Sequence, residues 1–333
     1  MRDVVDVCVV IPVYNEAPNV DPLLARLEPV LQSLGQSWRV LFVDDGSQDD
    51  TVSVVRCRQA DRPRIELLAL TRNFGHQTAL QAGMDYARGR YVITMDGDLQ
   101  HPPETIPEML RLAREGHDVV QTRRHSHARL SPFKRWSSSL FYRVFNVLSK
   151  IPIIESSSDF RLLTEKALQV LRRMPERHRF LRGMLPWTGL KVAVVTYEEE
   201  ARFAGQPKYS PWRSLSLALD AAVSFSRVPL QLATVCGLLT TIGCFAYFAF
   251  SITAHLTGLW TAPGWTSIIA SVLFIGGVQL MFIGVVGEYV GRIYEEVKQR
   301  PLYVVAAHTV ASDAAGRGSS AMVEPPAGEE AKA

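Results

Sequence analysis

The hydrophobic pattern changes character along the chain. Over the first 125 residues, short apolar runs alternate with stretches of helical periodicity. VCVVIPV (7–13) is continuous and rich in β-branched residues, which suits a strand buried on both faces. Val20, Leu23, Leu24, Leu27, Leu31 and Leu34 then recur at helical spacing over 19–34. RVLFVDD (39–45) predicts a second strand, 49–60 a helix, and IELLAL (65–70) a third strand. A helix is predicted over 76–89 with Gly89 as its stop, a fourth strand at YVITMDGD (91–98), a helix over 104–115 and a fifth strand at DVVQTR (118–123). Strands alternating with helices of this length predict an α/β fold built on a parallel sheet.

Farther on the pattern loses its charges. Residues 228–287 contain no Asp, Glu, Lys or Arg. That is roughly 60 residues, against the ~20 that one membrane-crossing helix needs. HLTGLWTAPGW (255–265) interrupts the run with two Gly, a Pro and two Trp, which predicts a turn at a water interface. Two spans follow, about 230–254 and 266–290. Arg213 and Arg227 precede the first, Arg292, Lys298 and Arg300 follow the second, and the connecting loop has no Lys or Arg. The excess of positive charge on the flanks predicts both termini in the cytoplasm. SPWRSLSLALDAAVSFSRV (210–228) places Trp212, Leu215, Leu219 and Val223 at helical spacing, as an interfacial helix would.

Composition refines this picture in three places. The N-terminal apolar stretch is too short for a signal peptide and ends at Pro12 and a polar turn. The four cysteines form no CxxC pair, so neither a zinc site nor a disulfide framework is expected. The net charge of +3 is small, and a nucleic-acid partner is not expected. Locally, however, positions 119–154 carry no acid and seven Lys or Arg. That is either a basic face attracted to anionic lipid or a cradle for an anionic ligand. The segment 311–333, rich in Ala, Gly, Ser, Pro and Glu, predicts disorder.

Candidate chemistry lies where predicted strands end. In parallel α/β sheets, ligands bind outside the carboxyl ends of the strands. Three such ends carry polar signals: YNE (14–16), DDGSQDD (44–50) and DGDLQ (96–100). DDG is also a hairpin signal, but a capped helix rather than a returning strand follows it. Asn15 and Glu16 are equally suited to capping the next helix. Asp96 and Asp98 straddle a glycine, and with Gln100 they offer the oxygen-rich donors that Mg2+ or Mn2+ takes. No GxGxxG or GxxxxGK[ST] pattern supports a dinucleotide or P-loop site.

Taken in order, VVIPVYNE (9–16), VDDGSQDDT (43–51), RNFGHQTALQAGMDYARG (72–89), MDGDLQHPPE (95–104), SDFRLL (158–163) and GEYVGRIYEEVKQRPLYVV (287–305) resemble the inverting family 2 glycosyltransferases that charge polyprenyl phosphates. These include dolichyl-phosphate mannosyltransferase and the bacterial undecaprenyl-phosphate sugar transferases. The resemblance covers about residues 5–305 and implies a GT-A fold. It implies that Pro12, Tyr14, Glu16, Asp45 and Asp96 line the nucleotide pocket of a sugar donor. Asp96, Asp98 and Gln100 would hold the Mg2+ or Mn2+ and the donor pyrophosphate, and Asp98, Asp159 and Arg161 would form the catalytic set. Arg123, Arg135 and Ser138 resemble a loop that receives the lipid phosphate. Arg202 and Lys208 resemble the basic pair of an Arg-…-Gly-x-Ser-Lys-Tyr motif, although RFAGQPKYS here has Gln206-Pro207 in place of x-Ser.

The resulting plan is a cytoplasmic catalytic domain at 1–209, an interfacial helix at 210–228, and two transmembrane helices within 229–291. A juxtamembrane segment at 292–310 and a tail at 311–333 complete it. The implied partners are a nucleotide-sugar donor, a polyprenyl-phosphate acceptor and a membrane, with a homo-oligomer compatible. The implied location is a bacterial inner membrane. A processive polysaccharide synthase would require more spans and a QxxRW box, and neither is present. A non-enzymatic membrane scaffold would not require the strand-end acids.

Overall fold

The computed structural model describes residues 4–125, 157–174, 176, 181–198 and 264–310, with parts of 235–257. The expected interfacial helix, parts of the first expected span, the tail, and Arg135, Ser138, Arg202 and Lys208 lie outside the described residues.

Eight strands form one sheet, with helices on both faces. In chain order the elements are β1 (Val5–Val13), α1 (Ala17–Ser33), β2 (Trp38–Asp44), α2 (Thr51–Asp61), β3 (Ile65–Leu70), α3 (His76–Tyr86), β4 (Gly89–Thr94), α4 (Ile106–Arg114) and β5 (Val119–His125). They continue with β6 (Ser157–Thr164), α5 (Glu165–Arg173), α6 (Leu181–Trp187), β7 (Val192–Glu198), α7 (Trp265–Lys298) and β8 (Val305–Thr309). The strand order is β7-β5-β6-β4-β1-β2-β3-β8. The central strands β4, β1, β2 and β3 run parallel, as the alternation predicts.

The sheet is not wholly parallel. β6 runs antiparallel to both β4 and β5, and β8 runs antiparallel to β3. β8 also brings residues 305–309 back into the sheet from beyond the long apolar helix, so the fold draws on chain outside 1–209.

This order fixes where a ligand can sit. From β1 the chain winds outward through β2 to β3, then crosses back through α3 to β4 on the other side of β1. The loops after β1 and β4 therefore diverge, and the crevice between them is the switch point at which open α/β sheets bind ligands. Tyr14 to Glu16 follow β1, and Asp96 to Gln100 follow β4.

Alternation along each strand builds two cores. Val7, Val9, Ile11, Phe42, Ile93, Phe160 and Leu162 share a cluster with Leu23, Leu24 and Leu27 of α1 and Met109 and Leu110 of α4. The opposite face packs against α3 and α5. There α3 approaches β1 and β2 so closely that only glycine fits at position 83. A Cβ on Gly83 would lie 2.2 Å from Val10 Cγ1 and 2.8 Å from Val43 Cγ2.

Two boundaries differ from the sequence expectation. α3 stops at Tyr86, where Arg172 of α5 takes over its last carbonyls, donating to the oxygens of Met84 and Ala87. Gly89 is the first residue of β4 and not a helix stop; its missing Cβ lets β4 pass Cys8, whose Cβ would stand 2.9 Å away. β4 ends at Thr94 rather than at Asp98, so both aspartates stand in the loop, with Leu99 at φ 65°.

The sheet and its helices form one compact unit, and α7 belongs to a second. Among the described residues, Phe274–Lys298 is the single stretch of helix long and apolar enough to cross a membrane. None of its apolar window is buried, and Leu280, Ile283 and Val290 are all more than half exposed.

The close contact at Gly83 yields a prediction. Gly83→Ala should destabilise the catalytic unit by about 1–3 kcal/mol, because the added methyl overpacks against two valines. Thermal unfolding of the purified protein measures this, and an unchanged midpoint would show that α3 is free to shift.

Candidate active site

Three loops meet at the crevice, and backbone hydrogen bonds lock them together. The N–H of Asn15 donates to Ser47 Oγ (2.9 Å), and its side-chain oxygen accepts from the N–H of Gln48 (2.8 Å). The N–H of Glu16 donates to Thr51 Oγ1 (3.0 Å). Asn15 sits at φ 55°, a left-handed conformation that Asn tolerates better than most residues. Glu16 occupies the N-cap position of α1, where its carbonyl accepts the N–H of Asn19 (2.9 Å) but its side chain makes no capping bond; its carboxylate instead accepts from Asn19 Nδ2. Pro12 is buried opposite Val43, while Tyr14 and Glu16 are half-buried.

Asp45 is 3% exposed and joins the second loop to the third. Its two oxygens accept the N–H groups of Phe74 (2.7 Å) and Gly75 (2.9 Å). Burial pushes its carboxyl above the ordinary value, and the two N–H bonds offset part of that. Gly46 makes the approach possible: it adopts φ 71°, and a Cβ there would lie 2.5 Å from the carbonyl carbon of Arg72. The loop after β3 is thereby held beside the start of α3.

The first residues of α3 reach the aspartates. His76 Nε2 lies 3.4 Å from Asp96 Oδ1 and 3.7 Å from Asp159 Oδ2, so one imidazole stands between the two carboxylates. Gln77 Nε2 donates to Asp159 Oδ2 (3.0 Å), and Arg161 Nη2 donates to Asp159 Oδ1 (2.5 Å). Arg161 is fully buried on β6, and Asp159 two residues earlier lies on the same face of that strand. The buried guanidinium thus gives Asp159 Oδ1 a short, charge-assisted partner.

His101 carries no signal of its own in the sequence, yet it organises the DGD loop. It is 3% exposed, stacked on Phe160 and edge-on to Tyr197. Its Nδ1 accepts the N–H of Asp96 (3.0 Å), and its Nε2 contacts Ser158 Oγ (2.7 Å). Accepting at Nδ1 requires the neutral ring with its proton on Nε2. Burial favours the same state by pushing the imidazole below its usual value. The histidine thus joins the loop after β4 to β6. His76 and Gln77 were missed for a related reason: they read as helix start, and only the fold carries them to Asp96 and Asp159.

The DGD loop meets part of the requirement for a divalent cation. Asp96 Oδ1 is shielded from solvent and accepts no hydrogen bond, which leaves a carboxylate oxygen available to a cation. Asp98 Oδ1 accepts the N–H of Gln100 (3.2 Å), which fixes the carboxylate's direction. Among the described residues no three His, Cys, Asp or Glu side chains converge as a metal cage. Mg2+ is generally held by one or two carboxylates together with water and substrate phosphates. Arg123 lies in the C-terminal half of β5 as an exposed residue, and among the described residues no contact places it in the crevice.

Comparison with known proteins accounts for this arrangement. Residues 8–172 match the model of the Glycosyl transferase family 2. An uncharacterized glycosyltransferase of Synechocystis sp. is 41% identical over 303 residues, covering 91% of this chain and 95% of that relative. The chain belongs to glycosyl transferase family 2. A second member, the SfII prophage-derived bactoprenol glucosyl transferase of Shigella flexneri, is 37% identical over 299 residues, 90% of this chain and 97% of its own length. Among solved structures, glucosyl-3-phosphoglycerate synthase from Mycobacterium tuberculosis, in complex with Mn2+, UDP and phosphoglyceric acid, aligns with a TM-score of 0.47 and 16% identity. That alignment covers 66% of this chain and 76% of the synthase. As a family 2 glycosyltransferase the protein is an enzyme, and the loops after β1, β2 and β4 all lie within the matched region.

The role of His101 is open to test. His101→Phe keeps the stacking on Phe160 but strips partners from the Asp96 N–H and from Ser158. Leaving such buried groups unsatisfied costs about 1–3 kcal/mol each. Earlier unfolding, together with weaker transfer activity, is the expected result; a variant as stable and active as the parent would show the histidine to be dispensable.

Proposed function

We propose that this glycosyltransferase moves a sugar, with inversion, from a nucleotide diphosphate sugar to polyprenyl phosphate on the cytoplasmic face of a membrane, with UDP-glucose as the leading donor. The observation that carries this reading is the state of Asp159. Both of its oxygens are engaged, one by a fully buried arginine and the other by Gln77. A carboxylate held in this way is a poor acceptor of a proton. A sugar hydroxyl would need a base, whereas a phosphate monoester, with its second pKa near ~6, is already largely ionised at neutral pH. An anionic acceptor therefore suits the site. The full-length likeness to a bactoprenol glucosyl transferase supports the lipid, and the exposed apolar surface of α7 supports the membrane.

In this reading Pro12, Tyr14, Glu16, Asp45 and Asp96 line the donor nucleotide pocket. Asp96, Asp98 and Gln100 are the residues that would hold Mg2+ or Mn2+, which when bound supplies positive charge against the leaving diphosphate. Asp159 orients Arg161 or a donor hydroxyl rather than taking a proton. Arg123, Arg135, Ser138, Arg202 and Lys208 receive the lipid phosphate. Spans at about 230–254 and 266–290, with an interfacial helix at 210–228, hold the site at the depth of the lipid headgroup, and both termini are cytoplasmic.

The test is transfer from a panel of nucleotide sugars to polyprenyl phosphate in membranes, read by mass spectrometry. A polyprenyl-phosphate hexose is expected, and its absence with every donor would refute the reading. Asp96→Asn and Asp98→Asn should each reduce turnover severely, and chelation should silence the parent enzyme until Mg2+ or Mn2+ is returned. Full activity in EDTA would falsify the metal assignment.

Asp159→Asn keeps an oxygen for Arg161 and should retain measurable turnover, with a pH profile that follows the second ionisation of the acceptor phosphate. Complete loss of turnover while both substrates still bind would mean that Asp159 is the base.

A further inference from the structure

The chain segment that leaves α7 is built into the walls of the active site. Val304 accepts a hydrogen bond from the N–H of Thr71 (3.0 Å), the first residue after β3. Val305 then pairs with Leu70, and β8 runs back along β3 to Thr309. There Gln59 of α2 bonds both the carbonyl and the hydroxyl of Thr309, at 2.7 and 3.0 Å. One residue before Val304, the hydroxyl of Tyr303 donates to Asp85 Oδ2 (3.0 Å), while Gln81 donates to the other oxygen (2.7 Å).

These contacts fall on the two pieces of backbone that shape the crevice. Thr71 opens the loop whose Phe74 and Gly75 amides hold Asp45. Asp85 lies in the last turn of α3, whose first residues, His76 and Gln77, reach Asp96 and Asp159. An 11-residue helix is stiff on this scale, so a restraint at its last turn also restrains its first. The hydroxyl of Tyr303 is engaged by Asp85, which is not one of the aspartates proposed to act on the donor, and its path to them runs through α3 and the 71–75 loop.

We propose that the 303–309 segment is a positioning clamp for the active site, with Tyr303 as its key side chain. The clamp holds the start of α3 and the 71–75 loop in register, so that Gln77 meets Asp159 while Asp45 stays bonded to Phe74 and Gly75. The catalytic unit is therefore completed by the chain that follows the apolar helix, and Tyr303 is a positioning residue of the transfer reaction. The kinetic part of this inference rests on the proposed function; the structural part does not.

The test joins two readouts on the full-length protein. Hydrogen exchange needs no substrate. In Tyr303→Phe the amides of 71–77 should exchange faster while those of β1 and β2 stay protected. In the transfer assay kcat should fall about three- to tenfold, the worth of one ordinary hydrogen bond, with the KM for lipid phosphate unchanged. Asp85→Ala removes the same bond together with the one from Gln81, so it should lose at least as much, and adding Tyr303→Phe to it should cost nothing further, because the Tyr303 interaction is already gone. Unchanged exchange at 71–77, uniformly faster exchange across the sheet, or additive losses in the double variant would each overturn the clamp. If the parent protein transfers no sugar to polyprenyl phosphate, the proposed function fails, and the exchange comparison still decides the clamp.

Discussion

The buried ion pair of Arg161 with Asp159 is the constraint around which the site is organised. A guanidinium with no solvent exposure is costly to bury unless a partner neutralises it, and here the partner lies two residues away on the same strand. That requirement pins Asp159 to one rotamer. Gln77 completes its second oxygen, which draws the start of α3 against β6. His76 then stands between Asp159 and Asp96, and His101 ties the Asp96 backbone to Ser158, the residue just before Asp159. Four elements, β4, β6, α3 and the DGD loop, thus converge on one charge pair.

Backbone does much of the remaining positioning. Asp45 spends both oxygens on amides of the next loop, and Asn15 uses its backbone N–H and its side-chain oxygen on the loop after β2. Two close approaches, at Gly46 and Gly83, leave no room for a methyl group. The acids that follow the three strand ends therefore do different work. Asp96 and Asp98 offer carboxylate oxygens at the crevice, whereas Asp44 and Asp45 are almost wholly buried, and Asp45 also ties the loop after β2 to the 71–75 loop.

The parallel centre of the fold was legible in the sequence because each strand there is buried on both faces and announces itself as an unbroken apolar run. β6 was not legible as a strand: SSDFRLLT alternates polar and apolar positions only in part, and its charged residues are explained by the ion pair rather than by solvent. β8 was hidden for a different reason. VAAHT is short, and its partner β3 lies far back in the chain. Within the site, acids clustered at strand ends were visible, because polar residues following apolar runs stand out. His101, His76 and Gln77 were not, since a histidine before two prolines or at a helix start carries no periodic signal. Their meaning depends on which strands lie side by side.

Charge also sets what the proposed reaction still demands. The described crevice presents Asp96, Asp98 and Asp159, and its one fully buried cation, Arg161, is committed to Asp159. A donor diphosphate and a lipid phosphate would add further negative charge to the same space. Two anions approaching in a partly dry site repel by several kcal/mol unless they are countered. Arg161 cannot supply that counter-charge without releasing Asp159. In the proposed reaction that counter-charge comes from a cation on the DGD loop at the leaving-group side, and from arginines and lysines at the acceptor side. Arg123 and Arg124 stand at the end of β5, where the acid-free basic segment begins. Arg124 already acts on the site: its positive charge is among the influences that keep His101 neutral. The division of labour follows from that accounting. The buried pair fixes geometry, and the charges that move with the substrates are supplied from outside it.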